Sequence, residues 1–164
     1  TESIENTDLQ TWRDTLNTNL FGTLNLTQEV IPAMKNQKAG AIVMINSMVT
    51  LKPMVGQAGY AVSKGALAQA VKFLAKELGA SGIRVNSVAM GWMWGAPVQG
   101  YMQWMAQEHG LPVEQQVAKV AANIPLGRIP TDDECARAAL FLVSDYASAV
   151  TGAWLDANGG EVMP

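Results

Sequence analysis

AIVMINSMVTLKPMVGQAGYAVSKGALAQAVKFL, residues 41–74, carries a strand signal and a helix signal in one continuous stretch. Residues 41–46, AIVMIN, are an unbroken apolar run containing Ile and Val, bounded by Gly40 and a polar loop. That is how a strand buried on both faces reads. Beyond residue 58 the period changes. Tyr60, Lys64, Leu67, Val71, Leu74 and Leu78 recur at steps of four and three and trace one helix face, which GASG closes with glycine. The face is apolar, yet it opens with a phenol and an ammonium. An unpaired buried ammonium is costly, so Lys64 calls for a partner.

Working outward, residues 8–35 read as one long helix, capped by Thr7 or Asp8 and lined by Trp12, Leu16, Leu20 and Leu24. Pro32 is expected to kink or end it, and NQKAG to turn the chain. Downstream, IRVNSVAM at 83–90 is a second strand. GWMWGAPVQGYMQWMAQEHGLP mixes helical and loop signals. TDDECARAALFLVSD is a helix with a Thr131 cap and an acidic first turn, and GAWLDANGG is a short third strand. Strands alternating with helices make an α/β layered domain with a parallel sheet, one domain over 1–164. Three strands alone leave sheet edges and faces uncovered. No glycine-rich phosphate turn joins a strand to a helix. The chain therefore reads as part of a larger domain.

Composition narrows the function classes. Of 164 residues, 49% are hydrophobic and only 15% charged, where an average domain carries about 25% charge. That deficit suggests surface covered by another subunit. The net charge of −3, without a basic cluster, speaks against nucleic acid and anionic membrane as partners. The apolar runs are one strand long, too short to span a bilayer. TESIENTDLQ is neither basic nor apolar, unlike a signal peptide. A single cysteine, Cys135, leaves no internal disulfide and no cysteine-ligated zinc, and no metal site is expected. It reads as a packing residue. His109 in AQEHGLP reads as a solvated residue at a helix end. A cytoplasmic location fits all of this.

Ligands of parallel α/β sheets bind beyond the carboxyl ends of the strands. Ser47 ends the first strand; Tyr60 and Lys64 open the next helix. Asn19 lies on the apolar face of the first helix, where a buried amide needs partners. Each has a plain reading: a strand-end hydroxyl, a satisfied core amide, a packed tyrosine. Together, Ser47, then twelve residues, Tyr60, then three residues, Lys64, with Asn19 in NTNLFGTL upstream, resemble the active-site pattern of the short-chain dehydrogenases/reductases. IRVNSVAMG and PLGRIPTDDECARAALFLVSDYASAVTGAWLDANGG resemble that family's closing third. The resemblance covers nearly the whole chain. It implies a Rossmann-like three-layer domain whose N-terminal βα units, with the phosphate turn and the residue selecting NAD or NADP, are absent from this sequence.

It further implies an NAD(P)-dependent oxidoreductase interconverting an alcohol and a ketone or aldehyde, with Asn19, Ser47, Tyr60 and Lys64 catalytic. A phenol ordinarily ionises near pH 10, and an ammonium one helical turn away favours the phenolate. Tyr60 would be the general acid/base. Ser47 would hold the substrate oxygen, Lys64 the nicotinamide ribose, and Asn19 a water that replaces the consumed proton. Tyr60, Lys64, Met90, Gly91 and Met93 would touch NAD or NADP. Two positions depart from the family pattern: Met90 stands where proline is usual, and Gly95 where threonine often touches the carboxamide. Residues 91–125 match the substrate loop. Trp92, Trp94, Tyr101 and Trp104, with Met93, Met102 and Met105, read as a wall for a small apolar or aromatic alcohol or ketone. The family's enoyl reductases usually space the tyrosine and lysine more widely. The alternative is a truncated, non-catalytic relative that oligomerises or binds. In either case the helix faces bearing Val62, Ala66, Ala70 and Phe73 imply a homodimer or homotetramer.

Overall fold

Asp8 starts the first helix: its carboxylate accepts from the Gln10 amide at 2.9 Å. In the computed structural model, which describes residues 3–163, α1 spans Leu9–Leu16 and α2 spans Thr23–Gln37. Between them, Asn17–Gly22 form a wider π-helical turn. The single helix expected over 8–35 is therefore interrupted, but not where proline predicts. α2 runs through Pro32, because only one ladder bond is lost there, and Pro32 and Gln28 are both exposed to water. At the π turn, side chains compete for the backbone: the Thr23 hydroxyl bonds the Asn19 carbonyl at 2.8 Å.

β1 spans Gly40–Ser47, β2 Ile83–Met90 and β3 Trp154–Ala157. They form one parallel sheet in the order β1-β2-β3. Gly40 faces Ile83 at one end and Ser47 faces Met90 at the other; Ser87–Met90 face Trp154–Ala157. All three strands end on one edge. α3, Ala58–Leu78, covers one face, packing Leu67, Val71, Ala75 and Leu78 on Met44, Ile83 and Val85. α6, Asp132–Val143, covers part of the other, packing Cys135 and Leu142 on Val88 and Met90. The mixed segment after β2 folds into α4, Ala96–His109, and α5, Val113–Ala121. Among the described residues, no helix is long and apolar enough to cross a membrane.

Two sequence expectations are corrected. β1 is not buried on both faces. Met44 and Asn46 are buried beneath α3, while on the opposite face Val43 is half-buried and Ile45 is 46% exposed. α6 flanks that face without closing it, leaving a groove of about 570 Å³ between Val43, Ile45, Met93, Leu140 and Val143. The outer edge of β1 has no strand beside it among the described residues. The buried stripe of α3 is also rotated from the expected one. It runs Ser63, Leu67, Val71, Ala75, Leu78, so Tyr60 and Lys64 stand on its flank. A 3.6-residue period is satisfied nearly as well by either set, and only packing against β1 chooses.

Candidate active site

Ser47 is the last residue of β1, and its hydroxyl accepts from the Val49 amide at 3.3 Å, capping the short turn that follows. Twelve residues later, Tyr60 sits in the first turn of α3, on the same carboxyl edge of the sheet. It is 37% exposed. Its hydroxyl has no partner among the described residues. Lys64 lies one turn on. Its ammonium donates to the Ile45 carbonyl at 2.9 Å and stands 5.7 Å from the Tyr60 ring centroid. This is the partner that the sequence called for. Burial pushes the Lys64 pKa below its ordinary value, so the carbonyl is what keeps the ammonium form in place.

Asn19 lies in the π turn. Its amide donates to the Ser63 hydroxyl at 3.0 Å, and that hydroxyl donates to the Tyr60 carbonyl at 2.7 Å. Asn19 is thereby tied to the turn that carries Tyr60, through a side chain that is fully buried. Sequence reasoning missed Ser63. The available signal was its place four residues before Leu67, a hydroxyl at the head of the buried stripe. The structure thus links Asn19 through Ser63 to the Tyr60 backbone, while Lys64, one turn on, is joined separately to β1 two residues before Ser47.

The second wall follows β2. The Met90 side chain is buried in the core under α6, so that residue offers a ligand only its backbone. Gly91 donates to the Ala157 carbonyl at 3.3 Å, and a Cβ there would stand 2.7 Å from the Asn158 Cβ. Met93 packs toward α6 and lines the groove beside β1. Trp92 stacks on Tyr101, with centroids 5.9 Å apart and planes at 20°; Tyr101 meets Trp104 at 5.6 Å. The Trp94 amide donates to the Pro130 carbonyl at 2.8 Å. Gly95 faces the Asp132 carboxylate, which a Cβ would approach to 3.1 Å. A threonine at 95 would crowd that carboxylate. Cys135 is buried, which raises its thiol pKa and suits a packing residue. His109 is exposed at the end of α4, 3.3 Å from the Gln116 amide oxygen.

The family model described as "Enoyl-(Acyl carrier protein) reductase" matches residues 1–161. The chain is 38% identical over 152 residues to the 3-oxoacyl-[acyl-carrier-protein] reductase FabG of Thermotoga maritima, covering 93% of this chain and 57% of that protein. It is 35% identical to the acetoacetyl-CoA reductase of Shinella zoogloeoides, over 92% of this chain and 58% of that one. Among solved structures, sorbitol-6-phosphate 2-dehydrogenase from Erwinia amylovora superposes with a TM-score of 0.90 at 26% identity, covering 99% of this chain and 64% of that one. A structure titled as a putative betaketoacyl-ACP reductase superposes at 0.81 with 32% identity, covering 96% of this chain and 62% of the other. The chain spans less than two thirds of each of these proteins. With the parallel sheet, the Tyr60–Lys64 pair and the family match along nearly its whole length, this chain belongs to the short-chain dehydrogenase/reductase family.

Proposed function

We propose that this chain carries the catalytic and substrate-facing part of an NAD(P)-dependent oxidoreductase that interconverts an alcohol and a ketone. The observation that carries the reading is the bonded set Asn19–Ser63–Tyr60 together with Lys64 held on the Ile45 carbonyl, at the carboxyl edge of the sheet. A nicotinamide ribose fits the donors present: Lys64 spends one of its three N–H donors within the described chain, and the Tyr60 hydroxyl none. Gly91 and Met93 offer backbone beside them. No G-x-G-x-x-G turn is present in the sequence to hold a pyrophosphate.

Bound NADH or NADPH would supply a hydride to the carbonyl carbon. The Tyr60 hydroxyl donates its proton to the carbonyl oxygen, which leaves as an alcohol. The Ser47 hydroxyl donates a hydrogen bond to that oxygen as charge builds on it. The Lys64 ammonium stands 5.7 Å from the Tyr60 ring centroid, and the Ser63 link holds the turn carrying Tyr60 against Asn19. The stacked Trp92, Tyr101 and Trp104, with Trp94 beside them in sequence, support a small apolar or aromatic alcohol or ketone as the substrate, because stacked rings offer broad rigid contact at low entropic cost. The likeness to 3-oxoacyl and acetoacetyl reductases and the three-residue spacing between Tyr60 and Lys64 favour carbonyl over enoyl reduction.

The chain by itself offers a pyrophosphate no glycine-rich turn and should show no turnover, so the test follows NADPH and NADH oxidation by the chain joined behind a nucleotide-binding βαβ segment, with acetoacetyl thioester, an aryl ketone and crotonyl thioester. Consumption with either ketone supports the reading. Turnover of crotonyl thioester alone transfers it to enoyl reduction. No turnover, with tight self-association, points to the binding-module alternative.

A further inference from the structure

Glu161 lies four residues past β3, and its side chain is only 4% exposed. One carboxylate oxygen accepts from the Lys52 ammonium at 2.8 Å; the other is buried with no partner among the described residues. Lys52 stands five residues beyond Ser47, in the loop that leads to Tyr60. The ion pair therefore joins two loops at the same sheet edge across 109 positions of sequence. With Lys52 exposed and only Glu161 buried, the pair is weak evidence of stabilisation. What this pair does is fix a position.

The tail that carries Glu161 touches the other rim of the site as well. The Gly91 amide bonds the Ala157 carbonyl, and Gly91 packs on Asn158. The Asn158 amide donates to the Val162 carbonyl at 2.9 Å, and its oxygen accepts from the Gly160 amide at 2.9 Å. Gly159 and Gly160 hold φ of 69° and 88°, where side chains are strained, and a Cβ on them would stand 2.5 Å from Ile124 and 3.0 Å from Pro125. The Leu126 amide closes the contact on the Gly159 carbonyl at 3.2 Å. Pro130, farther along that segment, holds the Trp94 amide. The tail thus bears on the segment after β2 through Gly91 and on the loop after β1 through the Glu161 ion pair.

We propose that Glu161 is a positioning residue that, through Lys52, fixes the loop between Ser47 and Tyr60 against the C-terminal tail and so sets the spacing of the two walls of the candidate site. Its bearing on catalysis rests on the reductase reading; its bearing on the loop does not. The test is hydrogen exchange on the 164-residue chain as wild type, Glu161→Gln, Lys52→Met and the double variant. Glu161→Gln keeps the shape of the side chain and removes its charge. Exchange across residues 51–57 is expected to accelerate about tenfold in each variant, with the double variant no worse than either single one and residues 67–78 and 83–88 unchanged. Unchanged exchange over 51–57, or an equal rise along the whole chain, overturns the proposal. In the turnover assay, Glu161→Gln should raise KM for the ketone severalfold and leave kcat within about twofold, the signature of lost positioning before the chemical step. A fall in kcat alone overturns the link to the site. Turnover absent from the wild type, with the local exchange effect intact, counts against the reductase reading and not against the clasp.

Discussion

Tyr60 and Ser63 are three residues apart and have opposite circumstances. The Tyr60 hydroxyl is free to reach a ligand, while Ser63 is fully buried and bonded on both sides. Their variants should therefore fail differently. Tyr60→Phe removes the proposed proton donor and little else. Turnover should fall by roughly 10²- to 10⁴-fold, the usual worth of general acid catalysis, with cofactor affinity retained. Steady-state kinetics with a parallel nucleotide titration checks this. Ser63→Ala leaves the Asn19 amide without its acceptor. An unmatched donor in a half-buried site costs about 1–3 kcal/mol, so a drop in the urea midpoint should accompany any loss of rate.

α6 begins with a capping box: the Thr131 hydroxyl accepts from the Glu134 amide, and the Glu134 carboxylate accepts from the Thr131 amide at 2.9 Å. Arg128 adds a two-pronged pair at 2.6 Å on each oxygen. These bonds hold the Glu134 carboxyl at about 2, below its ordinary 4.5. A depressed carboxylate stabilises the fold above its unfolded value and loses that effect as pH falls through the folded one. The contribution should thus disappear between about pH 4.5 and pH 2. Melting temperatures taken down that range should fall more steeply for the wild type than for Glu134→Gln, and the two should converge at the acid end. Thr131→Ala, which strips the cap itself, should cost about 1 kcal/mol at neutral pH in chemical denaturation. α6 matters beyond its own stability, because Asp132 abuts Gly95 and Pro130 holds Trp94.

The described chain exposes 9700 Å², against the roughly 7,900 Å² that scaling gives a compact monomer of this mass. Several large apolar side chains are among the exposed ones. Val62 and Phe73 on α3, Phe21 on the π turn and Leu26 on α2 are 47%, 67%, 53% and 68% exposed. These helices support the proposal of a homodimer or homotetramer. Phe73→Glu should shift the light-scattering mass toward the monomer at micromolar concentration, while Leu140→Glu on the opposite layer should leave the mass unchanged. A monomeric wild type would rule the assembly out. The groove beside Ile45 is a second uncovered area, on the face away from α3.

The continuous apolar runs and the period-3.6 stripes, with glycine at their ends, determined the strands and helices. β2 and α3 lie where the sequence places them, because long apolar runs and stripes have few other solutions. Asn19, Ser47, Tyr60 and Lys64 came together as a candidate set only through the resemblance to the short-chain dehydrogenases/reductases, since each alone reads as an ordinary packed or capping residue. Which face of α3 is buried was not legible, since neighbouring stripes differ by one residue and the sheet decides between them. The π turn was not legible either, and neither was the bond that Asn19 within it makes to a serine 44 positions away. Lys52 and Glu161 look like solvated charges in sequence. Only the parallel register, which gathers the ends of β1 and β3 on one edge, places that lysine against a buried carboxylate and makes a clasp of two residues that the chain keeps far apart.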